Sequence, residues 1–234
     1  MKLVIVAGPP SSGKTAVIRQ IIRGIPGMAT AYLKIDVTRA FEVEELVQEF
    51  GIPAKVVYSG DLCPDHAGVM VLADALSWAK NEGADLLIVE SAGLCLRCAP
   101  YTTQALGLVV LSATSGIHTP LKMGSMVALA DIAVITRTDL VSQAEKEVFS
   151  EHVREVNPSL ELIETNAVQG TGMRYLLREV EQFPAITDAG TIHLRGEPPL
   201  GVCTICIGKK EIGWQNHFGV VRTLDGADYL YRGD

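Results

Sequence analysis

The sequence predicts an α/β fold with a mostly parallel sheet, helices on both faces of that sheet, and a small β-rich extension at the C-terminus. Apolar runs alternate with helical patterns over most of the 234 residues. Runs such as 85–90 and 106–113 are too apolar to leave one face in water. Such runs are typical of strands in a parallel sheet that helices cover on both sides.

Each element follows from its own pattern in chain order. The first helical segment has apolar residues at 17, 18, 21 and 22, which fall on one face of a helix that covers a sheet. The predicted strands are 2–7, 31–36, 55–58, 85–90, 106–113, 131–136 and 160–165. The predicted helices are 14–23, 43–50, 69–83, 141–156 and 172–183.

The alternation stops after about residue 186, where glycine and proline become frequent. We therefore expect an α/β domain over 1–186 and an extension over 187–234, with short β-like runs at 191–195, 218–224 and 228–232. The extension is short for a core of its own. It is expected to dock on the domain, bind metal or pair with another chain, and its aromatic residues favour docking.

Composition narrows the class of protein. Hydrophobic residues make up 48% of the chain and the formal net charge is -7, so disorder is excluded and general nucleic-acid binding is disfavoured. No apolar run reaches the ~18 residues of a membrane-spanning helix, and the N-terminus has no signal-peptide cleavage pattern. We expect a cytoplasmic protein with no membrane span.

A phosphate-binding loop follows the first strand. Residues 8–15, GPPSSGKT, fit the pattern GxxxxGK[ST] between a strand and a helix, which is the context that this motif requires. Lys14 is expected to reach the β and γ phosphates, and Thr15 to offer its hydroxyl to Mg²⁺. Backbone N–H groups of the loop and the helix N-terminus complete an anion site. The loop residues expected to contact nucleotide are Gly8, Ser11, Ser12, Gly13, Lys14 and Thr15.

Two carboxylates end predicted strands. Asp36 ends the second strand and Glu90 ends the fourth. The carboxyl ends of parallel strands face the ligand crevice, so either side chain is placed to hold Mg²⁺ through water or to orient the attacking water. With Lys14, they form the predicted catalytic set.

Four of the five cysteines form two CxxC pairs, Cys95 with Cys98 and Cys203 with Cys206. Such pairs favour a metal or cluster site in a reducing compartment. We predict one four-thiolate site, within a subunit or across a dimer, that holds zinc, nickel or a [4Fe–4S] cluster. Cys63 and His66 are candidates for a second, transient metal site. The other histidines show no ligand spacing and are expected at the surface or in loops: 118, 152, 193 and 217.

Several segments together resemble the nickel-insertion GTPases of hydrogenase and urease maturation, which belong to the signal-recognition and MinD-like (SIMIBI) class of P-loop NTPases. The matching segments are GPPSSGKT, KID, SGDLCPDH, IVESAGL, VLSATSGIHTPLK, ADIAVITRTDL and TNAVQGTGM. They span residues 1 to about 180 in the family's order. The resemblance implies a GTPase, expected to form a homodimer, whose nucleotide state controls metal delivery or dimerisation.

The resemblance also implies residue roles. Asp36 matches the family's Asp after the second strand, and Glu90 its Walker B acid. Cys63 matches a metal-binding cysteine of the switch region, Cys98 a second metal cysteine, and Lys122 a loop lysine. His66 stands near the family's ligand histidine. The family's His-rich N-terminal tail is absent, and the extension has no counterpart.

The base-reading motif departs from the family pattern. NKxD is replaced by Thr136, Arg137, Thr138 and Asp139. Asp139 is able to accept hydrogen bonds from guanine, and Arg137 to cover the base, but the Asn contact is lost. Asn166 and Ala167 stand where the family has its other base-contacting segment. GTP is therefore expected, with ATP as the alternative.

Three functions are compatible with these residues. The first is a metallochaperone GTPase in which hydrolysis gates metal or cluster delivery to a client metalloenzyme or its maturation factors. The second is an ATP-dependent activator or reductase that carries a [4Fe–4S] cluster. The third is a small-molecule kinase, which the lack of an Arg-rich lid segment disfavours.

Overall fold

The computed structural model describes residues 1–38, 40–94, 99–196, 209–226 and 229–233. The strands are β1 (Lys2–Ala7), β2 (Thr30–Asp36), β3 (Ala54–Tyr58), β4 (Leu86–Glu90), β5 (Leu106–Ser112), β6 (Ile132–Thr136), β7 (Glu161–Glu164), β8 (Gly219–Val221) and β9 (Leu230–Arg232). The α-helices are α1 (Lys14–Gly24), α2 (Glu42–Phe50), α3 (Pro64–Asn81), α4 (Thr119–Lys122), α5 (Gly124–Ala128), α6 (Gln143–Val156) and α7 (Met173–Gln182).

The main sheet confirms the predicted fold class. Its seven strands run in the order β3-β2-β4-β1-β5-β6-β7, and every neighbouring pair is parallel. The seven predicted strands are all present, with ends within one residue of the prediction. The phosphate loop follows β1, which lies between β4 and β5.

Helices cover both faces of this sheet. One apolar cluster joins the strands to α1, α2 and α7, and includes Ile18, Leu46 and Leu176. The other joins them to α3, α5 and α6, and includes Val71 and Phe149. Strands that are apolar on both faces are thereby buried on both faces, as the sequence predicts.

One helix is longer than its pattern indicates. The predicted helix 69–83 is α3, which begins at Pro64. Proline is favoured in the first helical turn because the N–H that it lacks has no partner inside the helix. Cys63 is the N-cap, so the residues that directly follow this cysteine form the first turn of α3. The short helices α4 and α5 were not predicted from the sequence.

The prediction of a β-like run at 191–195 is wrong. A 3₁₀ turn covers Ala189–Thr191, and isolated bridges join Leu194 to Thr102 and His193 to Glu211. The run contacts two different segments, so its backbone groups are divided between them and no ladder forms. The other two predicted runs contain β8 and β9, which pair in an antiparallel hairpin.

The described part of the extension packs against α3. The Gly213 N–H donates to the Val69 carbonyl at 2.9 Å, and the Arg222 N–H to the sulfur of Met70 at 3.3 Å. Tyr229 donates its hydroxyl to the Ser59 carbonyl and accepts from the Asp61 N–H at 3.0 Å. None of the helices in the described ranges is both long and apolar enough to cross a membrane.

Arg195 anchors the start of the extension to the domain. Its guanidinium forms a bidentate pair with Asp131, at 2.9 and 2.8 Å, and also donates to the Leu129 and Thr102 carbonyls at 3.0 Å. Asp131 in turn accepts from the Gly107 N–H of β5 at 2.7 Å.

We predict that Arg195→Ala lowers the free energy of unfolding by about 2 kcal/mol, because partly buried charge-assisted bonds are lost and carbonyl groups lose their donor. Urea denaturation measures this change. The control is Arg154→Ala, whose exposed partner Glu151 lies 3.7 Å away and whose loss should cost less than about 0.5 kcal/mol. Equal effects of the two substitutions would contradict the anchoring role.

Candidate nucleotide site

Glycines shape the phosphate loop between β1 and α1. Gly8 has φ 144°, and a Cβ there would lie 2.2 Å from the Val110 carbonyl oxygen. Gly13, the N-cap of α1, has φ 98°. Only glycine adopts these conformations without strain. The loop backbone therefore turns sharply into α1, whose N-terminal N–H groups favour an anion.

Lys14 folds back over this loop. Its Nζ donates to the Gly8 carbonyl at 3.0 Å and to the Pro9 carbonyl at 3.2 Å. Burial lowers the pKa of Lys14, and the charge of Lys34 lowers it further, while Glu90 opposes the shift. The ammonium group lies where the motif places it, beside the loop that is expected to hold phosphate.

Glu90 is the most strongly hydrogen-bonded acid of the site and is only 1% exposed. Thr15 Oγ1 donates to its two carboxylate oxygens at 3.1 and 3.2 Å, and Tyr32 Oη donates to Oε2 at 2.7 Å. Lys34 Nζ donates to Oε1 at 3.0 Å. This carboxylate therefore joins α1, the helix that follows the phosphate loop, to the neighbouring strand β2.

Lys34 was missed by the sequence analysis. It lies on β2 opposite Glu90 in the strand register, and its Nζ is also 3.7 Å from Asp36 and 3.7 Å from Glu42. Burial alone would lower the pKa of Lys34, but the nearby carboxylates, Glu90 first, leave that pKa raised. The sequence feature that could have identified Lys34 as a site residue is a single lysine within an apolar strand, two residues before Asp36.

The oxygen donors fit Mg²⁺. The Thr15 hydroxyl and the Asp36 and Glu90 carboxylates line one cavity of about 440 Å³, together with Lys14, Lys34 and Arg137. Mg²⁺ prefers carboxylate, hydroxyl and water oxygens next to phosphate. The residues predicted for this role from the sequence are thus brought together.

Thr136 and Arg137 hold the phosphate loop in this structure. The Thr136 hydroxyl, which is buried, donates to the Ser12 carbonyl at 2.7 Å. Arg137 Nη1 donates to the Ser11 carbonyl at 2.8 Å and to Ser112 Oγ at 3.0 Å. The loop after β6 therefore supports the phosphate loop directly.

The two predicted base-contacting segments follow neighbouring strands. Asp139 is exposed in a 3₁₀ turn after β6. Asn166 follows β7, and its Oδ1 accepts from the Val168 and Gln169 N–H groups at 3.1 Å, while Ala167 is buried. Since β6 pairs with β7, the two loops leave the sheet side by side.

His66 is paired inside the protein. Its Nε2 lies 3.0 Å from His217 Nδ1, and His217 Nε2 lies 3.0 Å from the Glu211 carbonyl. Burial lowers the pKa of His66 to about 3, with a further contribution from His217. His217 lies in a loop of the extension, within the prediction of a surface or loop position, but it is only 2% exposed because it packs against α3 through His66.

Cys63 lies partly buried at the N-terminus of α3. Within the ranges that the structure covers, no three His, Cys, Asp or Glu side chains converge as a metal-binding group. The remaining predicted ligands, Cys95, Cys98, Cys203 and Cys206, lie outside the described residues. Their shared site therefore stays a prediction.

Asp65, next to the predicted ligands, is a buried carboxyl, and among the described residues neither of its oxygens has a hydrogen-bond partner. It is 5% exposed and borders a small apolar cavity that Ser91 and Pro100 also line. Burial, with a smaller contribution from Cys63, raises the pKa of Asp65 to about 8.

The parallel sheet, the phosphate loop and the acids beside it define a P-loop NTPase. The chain belongs to the family described as "CobW/HypB/UreG, nucleotide-binding domain", whose model matches residues 2–164. This confirms the resemblance to the nickel-insertion GTPases.

Proteins of similar sequence support this family assignment. An uncharacterized protein of Methanocaldococcus jannaschii is 41% identical over 228 residues, which cover 97% of each chain. The hydrogenase maturation factor HypB of Azotobacter vinelandii is 27% identical over 177 residues, 74% of this chain and 57% of that protein. The match thus spans little more than half of that longer protein.

Solved structures show the same fold. HypB from Helicobacter pylori, in complex with nickel, aligns with a TM-score of 0.64 at 20% identity, over 80% of this chain and 91% of that one. HypB from Archaeoglobus fulgidus aligns with a TM-score of 0.61 at 23% identity, over 77% and 89%.

We predict that Asp65→Asn removes a pH dependence of stability. The native state keeps the Asp65 proton up to about pH 8, whereas the unfolded chain loses it near 3.8. Between these values Asp65 makes the free energy of unfolding fall with rising pH, by about 1.4 kcal/mol per unit at most.

Urea denaturation at pH 5 and pH 7.5 tests this. Asp65→Asn should gain stability relative to the unaltered chain at the higher pH. Asp74→Asn is the control, since Asp74 lies on the same helix and is partly exposed. If both variants keep the pH slope of the unaltered chain, Asp65 is not responsible for it.

Proposed function

We propose that this chain is a GTPase whose nucleotide state gates the delivery of nickel to a client metalloenzyme or to its maturation factors. The observation that carries the proposal is a backbone connection between the nucleotide site and Cys63. The Ser59 N–H donates to the Asp36 carbonyl at 2.7 Å, and the Gly60 N–H to the Val37 carbonyl at 3.1 Å. A change at Asp36 is thereby transmitted to the segment that leads to Cys63.

The chain's own residues supply most of what hydrolysis needs. Lys14 and the N–H groups of the phosphate loop bind the phosphates and neutralise charge that develops on them. Thr15, Asp36 and Glu90 would hold Mg²⁺, which would neutralise negative charge on the phosphates. Asp36, whose side chain is partly exposed, is the candidate to orient the attacking water.

Nickel is the proposed cargo because the relatives of this fold include a HypB in complex with nickel and hydrogenase maturation factors. Thiolate and imidazole are ligands that nickel accepts. Cys63 is the described candidate ligand. Cys98 is proposed as its partner on the resemblance alone.

A second copy of the chain is proposed to bind over the nucleotide cavity. Leu94 is 52% exposed and lines the cavity, and Phe41, which is 59% exposed, directly precedes the lining residue Glu42. Exposed apolar side chains beside a polar site are typical of an interface.

We predict that GTP binds more tightly than ATP and that Asp139→Ala removes this preference. A carboxylate that accepts from two guanine donors is worth about ten- to hundredfold in affinity. Competition of GTP and ATP against a fluorescent guanine nucleotide measures it. Lys14→Ala is the control, because it should abolish binding of both nucleotides and turnover while the fold persists. A preference for ATP in the unaltered chain would favour the activator or kinase functions.

We also predict that Cys63→Ser weakens nickel binding about tenfold or more, since a thiolate ligand is replaced by a weaker hydroxyl. Competition with a coloured chelator, in GDP and in a non-hydrolysable GTP analogue, measures the affinity. His193→Asn is the control for adventitious binding, because His193 is exposed. Unchanged affinity in Cys63→Ser, or equal affinity of the unaltered chain in both nucleotides, would contradict gated delivery.

A further inference from the structure

Lys34 places a fixed positive charge in the nucleotide cavity. Its side chain is 6% exposed, and its Nζ is 3.0 Å from Glu90, 3.7 Å from Asp36 and 3.7 Å from Glu42. The same cavity is lined by Lys14 and Thr15. The ammonium of Lys34 therefore lies among the carboxylates that the proposed function assigns to Mg²⁺.

The backbone fixes this position. Lys34 and Glu90 are register partners on adjacent parallel strands, and Tyr32, two residues earlier on the same face, also donates to Glu90. A side chain confined in this way has little freedom to leave when nucleotide binds.

Lys34 supplies one of the positive charges of the cavity. Among the described lining residues the formally charged ones are Lys14, Lys34, Arg137, Asp36, Glu42 and Glu90, three of each sign. Without Lys34 this described set would carry one net negative charge, which would oppose a polyphosphate and attract a divalent cation.

We propose that Lys34 is a built-in counter-cation that makes nucleotide binding less dependent on Mg²⁺. Its charge attracts the phosphates and repels a metal ion near Glu90 and Asp36, so it strengthens metal-free nucleotide binding and weakens Mg²⁺ binding to the complex. Both effects reduce the difference between the nucleotide affinity measured without Mg²⁺ and the nucleotide affinity measured with Mg²⁺. This inference rests on the nucleotide binding proposed above.

An ion pair with a purely structural role makes a different prediction. If Lys34 only neutralised Glu90 to hold the fold together, its loss would change nucleotide affinity equally with and without Mg²⁺. The informative quantity is therefore the ratio of the dissociation constant of GTP in excess EDTA to that in excess Mg²⁺.

The experiment measures this ratio with a fluorescent GTP for the full chain and its variants. Lys34→Met should raise the ratio about tenfold, which corresponds to about 1.4 kcal/mol, whereas Lys34→Arg should keep it near that of the unaltered chain. Lys55→Met is the matched control, because Lys55 lies on the neighbouring strand β3 and pairs with exposed Asp225.

A second pair of variants distinguishes the proposed role of Lys34 from an effect of misfolding. Lys34→Met leaves Glu90 without its cation, so the same substitution is also made in Glu90→Gln, where no carboxylate remains at position 90. The ratio should again rise. An unchanged ratio in both backgrounds overturns the role of Lys34 but leaves the proposed function standing. Failure of the unaltered chain to bind GTP or ATP in Mg²⁺ overturns the proposed function and this inference with it.

Discussion

Glu90 is a carboxylate removed from water at the centre of the nucleotide end of the sheet, and burying such a charge is costly unless it is fully hydrogen-bonded. Thr15, Tyr32 and Lys34 meet this requirement from α1 and β2. The strand order that brings these elements around β4 is thus tied to the chemistry of one side chain. A change in any of the three donors alters the phosphate loop and the second strand together.

From this end of the sheet, contacts lead towards the extension. Asp36 and its neighbour are bonded to the segment 59–60, Cys63 caps α3, and one turn later His66 meets His217. The extension therefore packs on the helix whose first turn carries the candidate metal ligand. Its position gives it a physical connection to that segment.

The sheet, the phosphate loop and its acids were predictable because each depends on a local pattern. The seven apolar runs form seven strands, and the motif at 8–15 lies at the junction of β1 and α1. Lys34 and His217 were not predictable, because their roles depend on partners 56 and 151 residues away. The prediction of a β-like run at 191–195 was wrong for the same reason, since the hydrogen bonds of this run are divided between two remote segments. The cysteine pairs lie outside the described residues, so the structure leaves that prediction untested.

The position of β1 in the sheet has a consequence for how the chain acquires its fold. This strand is a central one, and its register partners are Leu86 for Lys2 and Leu106 for Val4. Both neighbours lie more than 80 residues later in the sequence, and closing such long loops slows folding. Until these contacts form, β1 is an apolar strand with two open edges, and such edges make a partly folded chain prone to aggregation.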